Sequence, residues 1–236
     1  MDKLLKQITD KLTAAFGDRL VAVILYGSAA SGEYSGDFSD LNILCVLTAV
    51  TTREMRDAEP IFQWWRKQGN PAPLLLSATE VQTSTDCFSI EFHDMKEHRR
   101  VLHGQDVIAP LEIDDSFYRA QVEHELRAKL LRLRQKGAGA SFDNDTLARL
   151  LAESVSTFCV LFRHALRLCG FPSPASRRDI IAQAASSFGF APQPFQTVLA
   201  LRDHTEKLKD VKAMEVLEGY IAAISRVIDA VDRLEK

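Results

Sequence analysis

The chain has 236 residues, of which 46% are hydrophobic and 26% charged, and its formal net charge at pH 7 is −3. That length supports one large domain or two smaller ones, and the nearly balanced charge argues against a protein that binds nucleic acid or a membrane surface. The four cysteines form no CxxC pair, no apolar run is long enough to span a bilayer, and the N-terminus lacks the apolar core of a signal peptide. We therefore expect a cytoplasmic protein.

The first half of the chain alternates helical and strand patterns. Apolar residues at helical spacing predict an amphipathic helix over residues 2–16, and the β-branched runs 19–27 and 41–47 predict two buried strands. Hydroxyl residues at the start and a glycine at the end predict a helix over 51–69, bent or interrupted at Pro60. Further strands are predicted at "PLLLSA", "CFSIEF" and "RRVLHG". Strands of one sheet separated by helices indicate a small α+β domain, which we assign to residues 1–110.

After about Asp114 the strand signal disappears and only helical patterns remain. Acidic residues at the start of 114–136 and basic residues at its end suit a helix dipole, and Gly137-Ala138-Gly139 is expected to end this helix. The other predicted helices run from Leu147 to Cys169, over 176–189 and 192–204, and from Val211 to Leu234. Amphipathic helices joined by short loops form a bundle, which we assign to residues 111–236.

The stretch "LYGSAASGEYSGDFSDLNILCVL" (25–47) contains the residues that indicate chemistry. Gly27, at the end of the first predicted strand, has no Cβ and so lets the backbone approach a phosphate closely, and Ser28 adds a hydroxyl and a backbone N–H. Asp40 and Asn42 open the second strand, where side chains two residues apart point to the same face. Oxygen-bearing side chains at a strand edge that faces such a turn predict a Mg²⁺ site.

These residues resemble the signature of the DNA-polymerase-β-like nucleotidyltransferase superfamily, and the layout is similar to its minimal and kanamycin-type members. The resemblance lies in Gly27-Ser28 and, after a spacer, Asp40-Leu41-Asn42-Ile43. It implies a nucleotidyltransferase domain with a small mixed β-sheet, followed by a helical bundle that binds the acceptor. It also implies a third carboxylate on a later strand, for which Glu91 is the candidate and Asp94 the alternative.

The implied activity is Mg²⁺- or Mn²⁺-dependent transfer of a nucleoside monophosphate from an NTP, with ATP as the expected donor, to a hydroxyl of a small molecule or protein. The resemblance implies that Gly27 and Ser28 bind the nucleotide. Asp40 bridges the metal ions, while Glu91 holds the metal nearer the acceptor and helps to deprotonate it. Asn42 is the remaining ligand of metal and nucleotide.

Asn42 departs from the family pattern, which has an acid at this position. If the neutral amide costs about 3–5 kcal/mol of transition-state stabilisation, transfer slows about 10²–10⁴-fold. Glu33 and Asp37, in the loop between the two motifs, are candidates for a replacement carboxylate. The sequence therefore leaves two hypotheses open: an impaired nucleotidyltransferase, or a catalytically inactive nucleotide-binding or antitoxin-like regulatory protein of the same fold.

A purely structural role is the third hypothesis. A Gly-Ser pair after a strand also occurs in ordinary turns, Asp40 would then cap a strand, and Asn42 would be a polar residue at a sheet edge. The acceptor and the oligomeric state are not readable from the sequence, so a homodimer or a partner protein stays open.

Overall fold

The computed structural model describes residues 1–30, 40–172, 174 and 176–234. Contacts within the chain divide it into two compact units, Met1–Phe117 and Tyr118–Lys236. Among the described residues, no helix combines the length and the apolar character that crossing a membrane requires.

The first unit contains a four-stranded mixed sheet with helices on its faces. Its strands are β1 (Leu20–Tyr26), β2 (Asn42–Leu47), β3 (Leu74–Ser77) and β4 (Arg99–Gly104), in the spatial order β3-β2-β1-β4. β1 is antiparallel to both β2 and β4, whereas β2 and β3 are parallel. The helices of this unit are α1 (Asp2–Phe16), α2 (Thr52–Lys67), α3 (Ala78–Thr83) and α4 (Ser89–Glu97). The predicted small mixed sheet with helices is confirmed.

Both faces of the sheet are buried, which explains why β1 and β2 consist of nearly continuous apolar runs. Leu25 and Ile43 belong to a cluster that contains the apolar residues of α1 and α2. Ile24 and Leu44 belong to a second cluster, on the other face, together with Phe92 of α4. Side chains alternate between these two clusters from Ala22 to Tyr26 in β1 and along β2, after an irregularity in the pairing between Leu20 and Ala22.

The prediction of a strand at "CFSIEF" is wrong, because Ser89 and the residues after it belong to α4. The buried residues of this helix include pairs three or four positions apart, as on one face of a helix: Ser89, Ile90, Phe92, His93 and Met95. The alternation that suggested a strand covers only Phe88 to Phe92, which is too short to distinguish the two periods.

All regular elements among the described residues of the second unit are helices, as predicted. Its helices are α5 (Tyr118–Ala140), α6 (Asn144–Leu168), α7 (Arg177–Phe188), α8 (Gln193–Arg202) and α9 (Ala213–Asp232). α6 contacts each of the other four. The rings of Phe195 and Tyr220 stack with centroids 4.1 Å apart, and Phe162 packs beside Phe195 with centroids 5.1 Å apart. Aromatic side chains from α6, α8 and α9 thus meet in one core.

The prediction that Gly137-Ala138-Gly139 ends a helix is wrong, since α5 continues to Ala140. Gly137 is buried, and a Cβ on it would lie 3.3 Å from Leu217 Cδ2 of α9. A Cβ on Gly139 would meet no atom within 4 Å. The glycine at 137 therefore allows close packing of α5 against α9, whereas the glycine at 139 has no packing role.

These two glycines give a matched pair of substitutions. Gly137→Leu should lower the free energy of unfolding by about 1–3 kcal/mol because the side chain overpacks the α5–α9 contact. Gly139→Leu should leave stability unchanged or raise it by up to about 1 kcal/mol, since its side chain meets open space and leucine has a higher helix propensity than glycine. Urea unfolding of both variants measures the difference. Equal effects of the two substitutions would contradict the packing role of Gly137.

An ionic network attaches the start of α2 to the residue before β1. Arg19 donates to Glu54 Oε1 at 2.5 Å and to Asp57 Oδ2 at 2.7 Å. Glu54 also completes a capping box with Thr51 at the N-terminus of α2. Hydrogen bonds from Thr51 and Arg19 lower the pKa of Glu54 from 4.5 to about 2. Because the folded protein favours ionised Glu54, this residue stabilises the fold above pH 4.5, and the contribution is lost as the pH falls from 4.5 towards 2.

We expect Glu54→Gln to remove this part of the acid sensitivity. Urea unfolding at pH 7 and pH 3 should show a smaller loss of stability for Glu54→Gln than for the wild type. Glu59→Gln, at an exposed position of the same helix, is the charge-matched control and should keep the wild-type pH dependence. A Glu54→Gln variant that is as acid-sensitive as the wild type would contradict the network's role.

Candidate functional site

The end of β1 forms a tight elbow at Gly27. Gly27 has a φ of +75°, and residues 27–29 form a single 3₁₀ turn in which Ala30 N–H donates to the carbonyl of Gly27. A Cβ on Gly27 would lie 3.2 Å from the side-chain nitrogen of Asn42. Both the positive φ and the nearby amide favour glycine here. Ser28 is half-buried in this turn.

The antiparallel pairing of β1 and β2 brings the two sequence motifs together. Tyr26, the last residue of β1, pairs with Asn42, the first residue of β2. Leu41 and Ile43 lie in the cluster next to α1 and α2, so alternation puts Asn42 on the opposite face, with Leu44. Asp40 is exposed and precedes β2 by two residues. The elbow and the start of β2 are thus neighbours.

Glu91 lies on a helix and not on a strand, which corrects the placement taken from the family pattern. It is exposed in the first turn of α4, the helix that covers the sheet face of Asn42. Burial raises the pKa of Tyr26, and the negative charge of Glu91 raises it further. Glu91 therefore acts electrostatically on the residue just before the elbow. Asp94, half-buried and one turn further along α4, stays the alternative.

A residue that the sequence did not indicate holds the start of β2. Asn70 follows the C-terminal end of α2, and its Oδ1 accepts a hydrogen bond of 3.0 Å from the backbone N–H of Leu41. Leu41 is the residue between Asp40 and Asn42. The only signal for this contact in the sequence is an asparagine in the turn "GNPAP", which is too common to be specific.

The side chains proposed as metal ligands carry oxygen donors only. Asp40 and Glu91 offer carboxylates and Asn42 a neutral amide oxygen, which is the donor chemistry that Mg²⁺ and Mn²⁺ prefer. In the described part of the chain, no three His, Cys, Asp or Glu side chains are grouped so that they could hold a metal ion. Glu33 and Asp37, the candidate replacement acids, lie outside the described residues. The donor set therefore fits a hard cation, with one carboxylate fewer than the family pattern.

The electrostatic effect of Glu91 on Tyr26, the residue before the elbow, can be tested without any ligand. Glu91→Gln should lower the pKa of Tyr26, because it removes a negative charge that disfavours the phenolate, while burial keeps this pKa above 10. NMR titration of ring-labelled tyrosine measures the shift. Asp94→Asn makes the same charge change on the same helix and should shift the pKa of Tyr26 less. The opposite order would favour Asp94 as the acid beside the elbow.

Comparisons with known proteins find a match among solved structures but none by sequence. No family model matches the chain, and no curated protein matches it in sequence. Among solved structures, the chain is similar to spectinomycin adenyltransferase AAD(9) from Enterococcus faecialis, crystallised with ATP and spectinomycin. The similarity covers 98% of this chain and 99% of that chain, with a TM-score of 0.61 and 14% sequence identity. The chain therefore shares the fold of that structure, an α+β fold in which a mixed-sheet unit is followed by a helical unit.

Proposed function

We propose that the protein is a nucleotidyltransferase that transfers a nucleoside monophosphate from an NTP, with ATP as the favoured donor, to a hydroxyl acceptor. The observation that carries this proposal is the pairing of Tyr26 with Asn42, which brings the Gly27-Ser28 elbow next to the Asp40-Asn42 motif. A nucleotidyltransferase fold over nearly the whole chain supports it.

The proposed roles follow from the position of each group. Gly27 and Ser28 bind the triphosphate, because a glycine elbow allows phosphate oxygens to approach the backbone. The Glu91 carboxylate accepts the proton of the acceptor hydroxyl. The acceptor oxygen then forms a bond to the α-phosphorus, and the bond from that phosphorus to the pyrophosphate oxygen breaks. Pyrophosphate leaves with the electron pair of the broken bond.

Asp40, Asn42 and Glu91 are the proposed ligands of Mg²⁺ or Mn²⁺. When bound, the cation neutralises negative charge on the triphosphate. Two carboxylates supply less negative charge than three and bind a free cation more weakly. We therefore expect this chain to bind the cation together with the nucleotide, whose phosphate oxygens would complete the ligand set. Asn42 makes the site weaker than that of an enzyme with an acid at this position.

A catalytically inactive, nucleotide-binding regulator is the second candidate. The observation that favours it is the neutral Asn42 together with the lack of a grouped three-acid site among the described residues. Both candidates predict binding of a metal–nucleotide complex, and they differ in whether pyrophosphate is released.

The helical unit is the proposed source of acceptor-binding groups. One of its grooves, of about 190 Å³, is lined by Lys129, Arg132 and Lys136, with Glu153 as its one acidic residue. Lys129 is paired with Glu125 at 3.2 Å, so the positive charge of this groove rests mainly on Arg132 and Lys136, and it favours an acceptor that is anionic over one that is polycationic. A panel of acceptors should therefore contain phosphorylated and carboxylated alcohols as well as spectinomycin.

The proposal predicts that Mg-ATP or another Mg-NTP raises the melting temperature of the protein, by mass action on the folded state. Asp40→Asn should abolish this metal-dependent shift. Asp18→Asn, an exposed aspartate before the other end of β1, is the charge-matched control and should bind as the wild type does. Unchanged melting temperatures with all four NTPs, with and without Mg²⁺ or Mn²⁺, would refute a nucleotide site.

Asn42→Asp separates the two candidates. It restores the family acid and should raise pyrophosphate release by up to about 10²–10⁴-fold, corresponding to about 3–5 kcal/mol. Release that is measurable in the wild type and rises in the variant supports the enzyme. Nucleotide binding by the wild type without any release, together with release by Asn42→Asp, supports the inactive regulator. A variant that binds nucleotide but releases no more pyrophosphate than the wild type would show that position 42 is wrongly assigned.

A further inference from the structure

We propose that Asn70 is a positioning residue of the candidate site, which fixes the strand entry carrying Asp40 and Asn42 through its hydrogen bond to Leu41. This inference rests on the proposed function, because the site it would organise is the nucleotide site. Asn70 itself lies outside both sequence motifs.

The bond joins two buried groups. Asn70 is 8% exposed and Leu41 is 2% exposed, and the distance from Leu41 N to Asn70 Oδ1 is 3.0 Å. A buried backbone N–H that loses its acceptor is left without a hydrogen bond, so the start of β2 would have to move to reach water. Such a movement would displace Asp40 and Asn42 together, because Leu41 lies between them.

The sheet does not provide this acceptor. The pairing of β2 with β3 begins at Leu44 and Leu74, three residues after Leu41. Pro71 and Pro73, before β3, lack the N–H that a continuing ladder needs, which is consistent with a β2–β3 pairing that does not extend back to Leu41. The side chain of Asn70 therefore takes the place of a neighbouring strand at the position where the candidate ligands begin.

Asn70 is itself held by the end of α2. Gly69, with a φ of +86°, turns the chain away from the helix, and its N–H donates to the carbonyl of Arg66 at 3.0 Å. The following Pro71 restricts the backbone of Asn70 to extended conformations. The backbone of Asn70 is thus constrained on both sides, and its Nδ2 donates to the carbonyl of Gln68 at 3.5 Å, which suits a group that has to hold another segment in place.

Asn70→Leu and Asn70→Asp test the proposal as a pair. Leucine keeps a similar volume but removes the acceptor, whereas aspartate keeps an oxygen that can accept from Leu41. Asn70→Leu should weaken Mg-ATP binding about tenfold in calorimetry, and Asn70→Asp should stay within about threefold of the wild type. Amide hydrogen exchange at Leu41 should be faster in Asn70→Leu than in Asn70→Asp.

The control for a merely structural effect is Ile61→Val, which removes packing from α2 in the same buried cluster as Leu41. It should lower thermal stability and leave Mg-ATP binding unchanged. If Asn70→Leu binds Mg-ATP as tightly as the wild type, or loses no more affinity than Ile61→Val, the proposal is overturned. If the wild type binds no nucleotide, the proposed function fails and the role of Asn70 in nucleotide binding fails with it. Exchange at Leu41 would still show, separately, whether Asn70 holds the strand.

Discussion

The candidate site depends on the register between β1 and β2. Because the strands are antiparallel and Tyr26 pairs with Asn42, the residue after β1 and the residues at the start of β2 lie at the same end of the sheet. A shift of one residue would turn Asn42 to the face of α1 and α2 and Leu41 to the face of α4. Because both faces are apolar, the shift is opposed by the burial of the polar Asn42 amide against α1 and α2 and by the loss of close packing in the two clusters. Packing of the core therefore positions the polar residues of the site.

The sequence predicted the sheet and most helices because their apolar patterns are long. β1 and β2 are nearly continuous apolar runs bounded by polar residues or glycine, and α6 and α9 repeat apolar residues at helical spacing over more than four turns. The segment around Glu91 is different. Its alternation covers five residues and fits a strand or a helix, and only the burial of His93 and Met95 decides for the helix. The helix end predicted at Gly137-Ala138-Gly139 was wrong for another reason. Gly137 is a glycine because α9 packs closely against it, and this tertiary contact cannot be read from a single sequence.

The polar parts of the site were predictable only in part. The glycine elbow and Asp40 follow from local sequence, because a strand, a turn and a second strand must be adjacent in an antiparallel hairpin-like pair. The contact of Asn70 with Leu41 joins residues 29 positions apart, and nothing in the pattern of either segment requires it. The electrostatic effect of Glu91 on Tyr26 likewise depends on where α4 lies on the sheet. The position of the Glu91 charge at this end of the sheet is thus determined by α4, and it cannot be inferred from the strands alone.

α2 connects the two ends of the central strands. Its 16 residues span about 24 Å at 1.5 Å per residue, and the six residues of β2 span about 20 Å at 3.3 Å per residue, so the helix covers the strand from end to end. At its start, Glu54 is bound to Arg19, next to the beginning of β1, and just after its end, Asn70 is bound to Leu41, next to the beginning of β2. Both attachments are polar, while the apolar face between them packs on the sheet. A helix fixed at both ends in this way cannot slide along the sheet without breaking a buried hydrogen bond. Its position is therefore coupled to that of Asp40 and Asn42, which explains how a structural helix without any site residue of its own keeps the candidate site in place.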